Sequence, residues 1–344
     1  MRAVVIHAAH DLRIDEMESP GAPGPGEVGV RVGAGGICGS DLHYYHDGGF
    51  GAVRVRQPMV LGHEFAGTVT GVGAGVTHVA VGDKVAVNPS RPCNACRFCL
   101  VGRQQHCLDM RFYGSAMRMP HVHGGFREEI VCDAVQAVPV PAGLALTHAA
   151  FAEPLAVCLH AVRQAGEMLG RRVLVTGAGP IGMLAMLAAR LAGASEVVMT
   201  DLVDAPLALA KRLGADAALN MRSEPAGLDR FAADKGYFDV VLEASGAVVA
   251  LKGAMVVARP GAVIVQLGIG ADAALPLSML TAKEISLRGS FRFHEEFGMA
   301  VDAIAAGRID VAPLLTEVMP MGQARAAFDL ASDRSRAMKV QLAF

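Results

Sequence analysis

The chain has 344 residues, with 31 Lys and Arg against 33 Asp and Glu and a net charge of −2. At roughly 100–200 residues per domain this length implies two domains, and the balanced charge lacks the basic footprint of a nucleic-acid-binding protein. With 52% hydrophobic residues the chain is too apolar for disorder, and its seven cysteines, an odd number, do not read as a disulfide framework.

The N-terminal apolar run Ala3–Ile6 stops at His7, too short for a secretory signal, and Arg190 interrupts the richest apolar stretch, 181–194. A cytoplasmic protein with reduced thiols is expected. Residues 20–26 (PGAPGPG) form a loop by their turn chemistry, and Val28–Val32 alternates as a half-buried strand does. Further short β-branched runs, 67–72 and 84–87, make the first 145 residues read as a small irregular β-barrel. From about residue 147 the rhythm changes. Strands are predicted at 172–176, 196–200, 215–219, 238–243, 262–267 and 285–288, and helices at 181–191 and 205–213. Strands alternating with helices predict an α/β domain built of βαβ units, with a parallel sheet covered on both faces. The apolar run Ala262–Leu267 is read as an edge strand open to pairing. The last fifty residues mix a helix, 295–306, with short strands and are expected to pack back on the first domain.

Three groups of residues carry chemistry. Gly177-Ala178-Gly179-Pro180-Ile181-Gly182 is a G-x-G-x-x-G that follows a predicted strand and opens a helix. Gly177 allows the tight turn, Gly179 lets backbone approach a pyrophosphate, and Gly182 lets helix and strand pack closely. Asp201 ends the next strand, where a carboxylate holds the adenosine ribose hydroxyls; a helix-capping role is its alternative. No Arg or Lys occurs from 202 to 210 to hold a 2′-phosphate, so NAD is expected over NADP. Cys93, Cys96, Cys99 and Cys107 supply four thiolates at a spacing that closes a tetrahedral zinc site. A bacterial iron–sulfur run wants its fourth cysteine after three residues, and here seven intervene. The third group is dispersed: Cys38, Ser40 and His43 in one segment, His63 and Glu64 in a second, and Glu153 just before the α/β domain. Cys, His and Glu make a catalytic zinc set with an open position, whereas Cys38 or His63 alone would read as core residues.

On these motifs the chain resembles, nearly end to end, the zinc-dependent medium-chain dehydrogenases. The stretch 62–76 is similar to their zinc signature and 93–107 to their structural zinc lobe. Glu153 stands where alcohol dehydrogenases of the family carry a cysteine, which points to the polyol branch around sorbitol dehydrogenase. The resemblance implies a GroES-like catalytic domain over 1–146, a Rossmann domain over 147–291, and a C-terminal segment, 292–344, that completes the first. It implies Cys38, His63 and Glu64 as zinc ligands, with Glu153 binding zinc directly or holding its water. Ser40 and His43 would form the proton relay, and Phe112, Ser115, Arg292 and Phe293 would line the substrate pocket. The implied activity is zinc- and NAD(P)-dependent oxidation of a secondary alcohol of a sugar acid, in a cytoplasmic homo-oligomer, dimer or tetramer. A sorbitol-, xylitol- or L-threonine-type dehydrogenase is the alternative, and a non-enzymatic zinc-ribbon binding protein the alternative from another class.

Arg292 is the expected cation for a substrate carboxylate. Arg118, His121 and His123 are read as solvated loop residues that could assist it. His160, Cys132 and Cys158 are expected in the core, as are Met183, Met186 and Met255.

Overall fold

The computed structural model describes all residues, 1–344, and divides into two compact units. Unit 1 comprises Met1–Glu153, Phe297–Asp333 and Ala337–Phe344; unit 2 comprises Pro154–Glu296 and Arg334–Arg336. Two of the junctions fall inside the helices Ala152–Ala165 and Glu296–Ala305 rather than in loops.

Unit 1 is built on a seven-stranded sheet. Its order is Ala137–Pro139, Lys84–Val87, Glu64–Val72, Glu27–Gly36, Lys339–Ala343, Leu315–Pro320, with Glu129–Asp133 also paired to Glu27–Gly36. Period-two patterning sends Val28, Val30 and Val32 into one core with Phe65, Val69, Val85, Val87 and Ile130. Arg2–Ala8 forms a smaller sheet with Asp11–Glu16 and Met59–Val60, packed with Phe126 and Phe328.

The register of the central strands positions the chemistry. Glu27–Gly36 runs antiparallel to both neighbours, and Gly36 is opposite Glu64 on one side and Gln341 on the other. Cys38 follows Gly36 by two residues, His63 precedes Glu64 by one, and Lys339 precedes Gln341 by two. All three therefore lie at the same corner of the sheet, although they are far apart in sequence.

Unit 2 holds a six-stranded parallel sheet in the order Ala217–Asn220, Glu196–Asp201, Arg172–Thr176, Phe238–Glu243, Ala258–Gln266, Ser286–Gly289. Numbered within the unit this is 3-2-1-4-5-6, the doubly wound dinucleotide-binding order. Helices cover both faces of such a sheet, which explains why 173–175, 197–199 and 240–242 are continuous buried apolar runs rather than alternating ones. One expectation fails here. The run Ala262–Leu267 is not an edge: it belongs to Ala258–Gln266, paired on both sides, and the edge is Ser286–Gly289, exposed along its length. Continuous apolarity marks a covered inner strand, and strand order is not a local property of sequence.

Cys132, Cys158, Met183, Met186 and Met255 are buried in the core as expected. No helix is long and apolar enough to cross a membrane.

Candidate metal centres and cofactor loop

At the sheet corner, ligand atoms of Cys38, His63 and Glu64 lie within 4.8 Å of one another. Cys38 is the N-cap of the helix Gly39–Asp47. Asp41 of that helix, fully buried, ties the corner together: it accepts from the Cys38 N–H at 3.1 Å and from the Gly62 N–H at 3.3 Å. Its Oδ1 lies 3.8 Å from His63 Nδ1. At that separation the carboxylate faces the ring electrostatically, without a hydrogen bond. Phe112 packs against the same ring, with centroids 5.6 Å apart. Lys339, buried, ion-pairs with Glu64 and donates to the Ile37 carbonyl at 3.0 Å. Glu153 is buried next to the cluster and coupled electrostatically to all three of its members.

The donor set fits a divalent cation. Burial, with the Glu64 charge adding to it, pushes the Cys38 thiol up to about 12. Burial likewise raises Glu153 to about 8, with His63 opposing and Glu64 and Cys38 reinforcing the rise. A partly buried thiol and two buried carboxyls with one lysine among them are groups whose ionised forms a cation would stabilise. Zinc takes such a set.

The four-cysteine loop is also assembled: the sulfurs of Cys93, Cys96, Cys99 and Cys107 all lie within 4.8 Å of one another. Backbone N–H groups already point at them, from Cys96 to Cys93 at 3.3 Å, Cys93 to Cys107 at 3.1 Å, Asp109 to Cys107 at 3.3 Å and Leu108 to Cys96 at 3.5 Å. Donors of this kind favour thiolate over thiol; the bond from Leu108 leads those that hold Cys96 down at about 6. Four thiolates with no open position are a donor set that fits a closed structural zinc site.

In unit 2 the glycine loop has the shape that a dinucleotide requires. Gly177 sits at φ +86°, and a Cβ there would meet the Ser245 backbone at 2.9 Å. A Cβ on Gly182 would overlap the Gly177 carbonyl, so helix and strand meet only because both residues are glycine. At Gly179, the N-cap of the helix Pro180–Leu191, the nearest atom to such a Cβ is Arg334 Nη2 at 3.9 Å, leaving an open cradle at a helix N-terminus. Asp201 is bound to this loop: its Oδ2 accepts from the Ala178 N–H at 2.7 Å. It also accepts from the Leu202 and Val203 N–H groups at 2.7 and 3.1 Å, ahead of the helix Asp204–Arg212.

The remaining expected residues are spread over both units. Ser40 and His43 are three apart on one helix and share a face; His43 is exposed, with Nδ1 3.2 Å from Asp47 Oδ2. Ser115 is buried, and its hydroxyl accepts from the Met117 N–H at 3.3 Å. Phe293 is buried. Arg292 has left-handed backbone, φ +56°, and its guanidinium is 4.9 Å from the centroid of the Phe291 ring.

Arg118, His121 and His123 are not solvated loop residues. Arg118 donates to the carbonyls of Met110 and Leu108 and pairs with Asp109. His121 accepts from the Arg56 N–H at 2.9 Å through Nε2 and contacts the Arg118 carbonyl at 2.6 Å through Nδ1. His123 Nδ1 accepts from the Val60 N–H at 3.1 Å. These side chains satisfy backbone groups of neighbouring segments, 56–60 and 108–118.

Residues 24–142 match the model of the alcohol dehydrogenase GroES-like domain, and residues 180–306 match that of the zinc-binding dehydrogenases. The chain is 45% identical over 316 residues to L-idonate 5-dehydrogenase (NAD(P)(+)) of Escherichia coli (strain K12), covering 92% of this chain and 91% of the relative. This chain belongs to the zinc-binding dehydrogenases. It is also 35% identical to the sorbitol dehydrogenase of Gallus gallus, covering 99% of this chain and 95% of the relative. The crystal structure of L-idonate 5-dehydrogenase from E. coli K-12 aligns with a TM-score of 0.95 at 42% identity, over 100% of this chain and 98% of that one. Medium-chain, zinc-dependent oxidoreductase chemistry thus replaces the zinc-ribbon alternative.

Three partners of the site went unassigned in the sequence. Asp41 stands inside the motif with Cys38 and His43 but carries no spacing signature of its own. Lys339 and Arg334 reach their carboxylates from the far end of the chain, and only the strand pairing and the folded loop reveal them. Glu243 went unassigned as well: fully buried, it accepts from Thr176 Oγ1, the Ser245 and Gly246 N–H groups and Gln266 Nε2, and so ties the ends of three neighbouring strands.

Proposed function

We propose that the chain oxidises a secondary alcohol of a sugar acid, L-idonate to 5-keto-D-gluconate, with NAD(P) as hydride acceptor. The observation that carries this reading is the Cys38–His63–Glu64 donor cluster in a chain so similar to an L-idonate 5-dehydrogenase. Cys38, His63 and Glu64 would hold the catalytic zinc, Glu153 would hold its water or enter the shell, and Asp41 places a carboxylate 3.8 Å from His63 Nδ1. Bound zinc supplies a Lewis acid that lowers the pKa of an alcohol hydroxyl, and the nicotinamide supplies the hydride acceptor. Ser40, half-buried next to Cys38, passes the hydroxyl proton outward, and His43 receives it where water reaches the ring. Phe112 keeps water from the His63 face. Gly177, Gly179, Pro180, Ile181 and Gly182 seat the pyrophosphate, and Asp201 reads the adenosine ribose.

Ser115 is proposed as a substrate contact, as are Phe293 and Arg292, whose planar guanidinium suits a substrate carboxylate. The left-handed backbone at Arg292 supports a functional role, since such conformations persist only where the surroundings hold them. The exposed edge Ser286–Gly289 supports a homo-oligomer, dimer or tetramer, and seven free cysteines fit a cytoplasmic setting.

The test is a panel of L-idonate, sorbitol, xylitol and L-threonine with NAD and with NADP, on the wild type and on Arg292→Ala. The expected result is the highest kcat/KM on L-idonate, with Arg292→Ala losing about tenfold or more there, as for one charge-assisted pair, and little on sorbitol. A higher kcat/KM on a polyol would make the protein a polyol dehydrogenase, and equal losses on both substrates would remove Arg292 from carboxylate recognition.

A further inference from the structure

Asp201 has more partners than its position on a ribose explains. Its Oδ1 accepts from the N–H groups of Leu202 and Val203, and its Oδ2 from the N–H of Ala178 at 2.7 Å and from Arg334 Nη2 at 2.5 Å. A carboxylate offers about four lone-pair sites, so every acceptor position is taken. Three of the four donors are backbone groups held by the fold. The fourth belongs to a side chain that is 52% exposed, while Asp201 is buried. The ribose diol of NAD can therefore reach this carboxylate only by displacing Arg334.

A 2′-phosphate meets the opposite situation. A bare Asp201 would repel it, but with Arg334 in place the carboxylate is neutralised, and a guanidinium has five N–H donors, more than one carboxylate oxygen uses. Residues 202–210, where a phosphate-binding cation would follow the strand, contain none. Arg334 also borders Gly179, so its guanidinium stands at the junction of the pyrophosphate loop and the ribose carboxylate.

We propose that Arg334 sets coenzyme choice: it is the cation that admits a 2′-phosphate next to Asp201, and it competes with the ribose hydroxyls of NAD for the same oxygen. This rests on the dinucleotide reading of the glycine loop given above, and it adds a route by which NADP is accepted beside the expected NAD.

Direct binding tests it without turnover. NADH and NADPH are titrated by nicotinamide fluorescence onto the zinc-loaded wild type, Arg334→Ala and Arg334→Lys, with melting temperature and zinc content as controls for folding. Arg334→Ala is expected to weaken NADPH by about tenfold or more, the scale of a charge-assisted pair, while NADH binds as well or more tightly. Arg334→Lys should keep most of the NADPH affinity. Arg334→Gln, neutral and of similar length, gives the same comparison should the alanine variant fold poorly. Equal weakening of both nucleotides, or unchanged NADPH binding, overturns the proposal. A wild type that binds neither overturns the dinucleotide reading itself.

Discussion

Glu296 is a buried carboxylate that stays ionised. His160 Nδ1 lies 3.0 Å and Arg163 Nη1 2.8 Å from its Oε1, and the His294 N–H donates to Oε2 at 2.9 Å. Burial works against the charge, but the bonds from His160 and the backbone outweigh it and hold the carboxyl down at about 2. Glu295 sits on the same Arg163 guanidinium, so the group is a small network. A carboxyl held below its ordinary value near 4.3 stabilises the fold fully above that value, and the contribution disappears as pH falls from there through about 2. Glu296→Gln is therefore expected to cost about 1–3 kcal/mol at neutral pH, the scale of a charged hydrogen bond. It should also flatten the fall of stability between pH 4.5 and 2; a denaturant series across that range checks both. His160 is in the core as its apolar helical setting led us to expect, but its partner comes 136 residues later, and periodicity carries no sign of a pairing at that separation.

At the scale of elements, the proposed catalytic corner depends on how closely three strands approach. Gly36 has Glu64 opposite it on one side and Gln341 on the other, and a Cβ at Gly36 would overlap Glu64 Oε2 and come within 3.0 Å of Lys339 Cε. Gly36→Ala therefore has to push apart the ion pair that holds a proposed ligand. The expected outcome is a loss of about 1–3 kcal/mol, as for an overpacked core, with zinc falling towards one per chain. Metal analysis and thermal melts would show it; full zinc and unchanged stability would mean that the corner tolerates the extra carbon. The same paired strands explain what sequence can disclose. The runs 172–176, 196–200 and 238–243 were legible because length, β-branching and flanking glycines are local properties. The place of Ala262–Leu267 within its sheet was not, since neighbours are chosen by crossover connections rather than by the strand itself.

For the molecule as a whole, the two metal clusters differ in what they do. Two zincs per chain are expected. Cys96→Ser should lower the count to one and reduce the melting temperature by several degrees, because a structural site contributes its binding energy to folding. Retention of both zincs and of the melting temperature would show that the lobe does not hold metal. Legibility follows the same division. The lobe could be read directly because its four thiols sit in one loop, and the glycine loop because its motif is contiguous. Asp41, Lys339 and Arg334 could not, because each acts on a group supplied by another segment. This contrast also bears on the order of assembly during synthesis. Cys93 to Cys107 leave the ribosome together and can close around an ion while the rest of the chain is still being made. Glu64 receives its lysine only when 339–343 has emerged and paired, so the corner takes its finished form after translation has passed every other strand. The lobe thus has all its sulfurs in one segment of fifteen residues, whereas the corner draws a partner of Glu64 from the strand Lys339–Ala343.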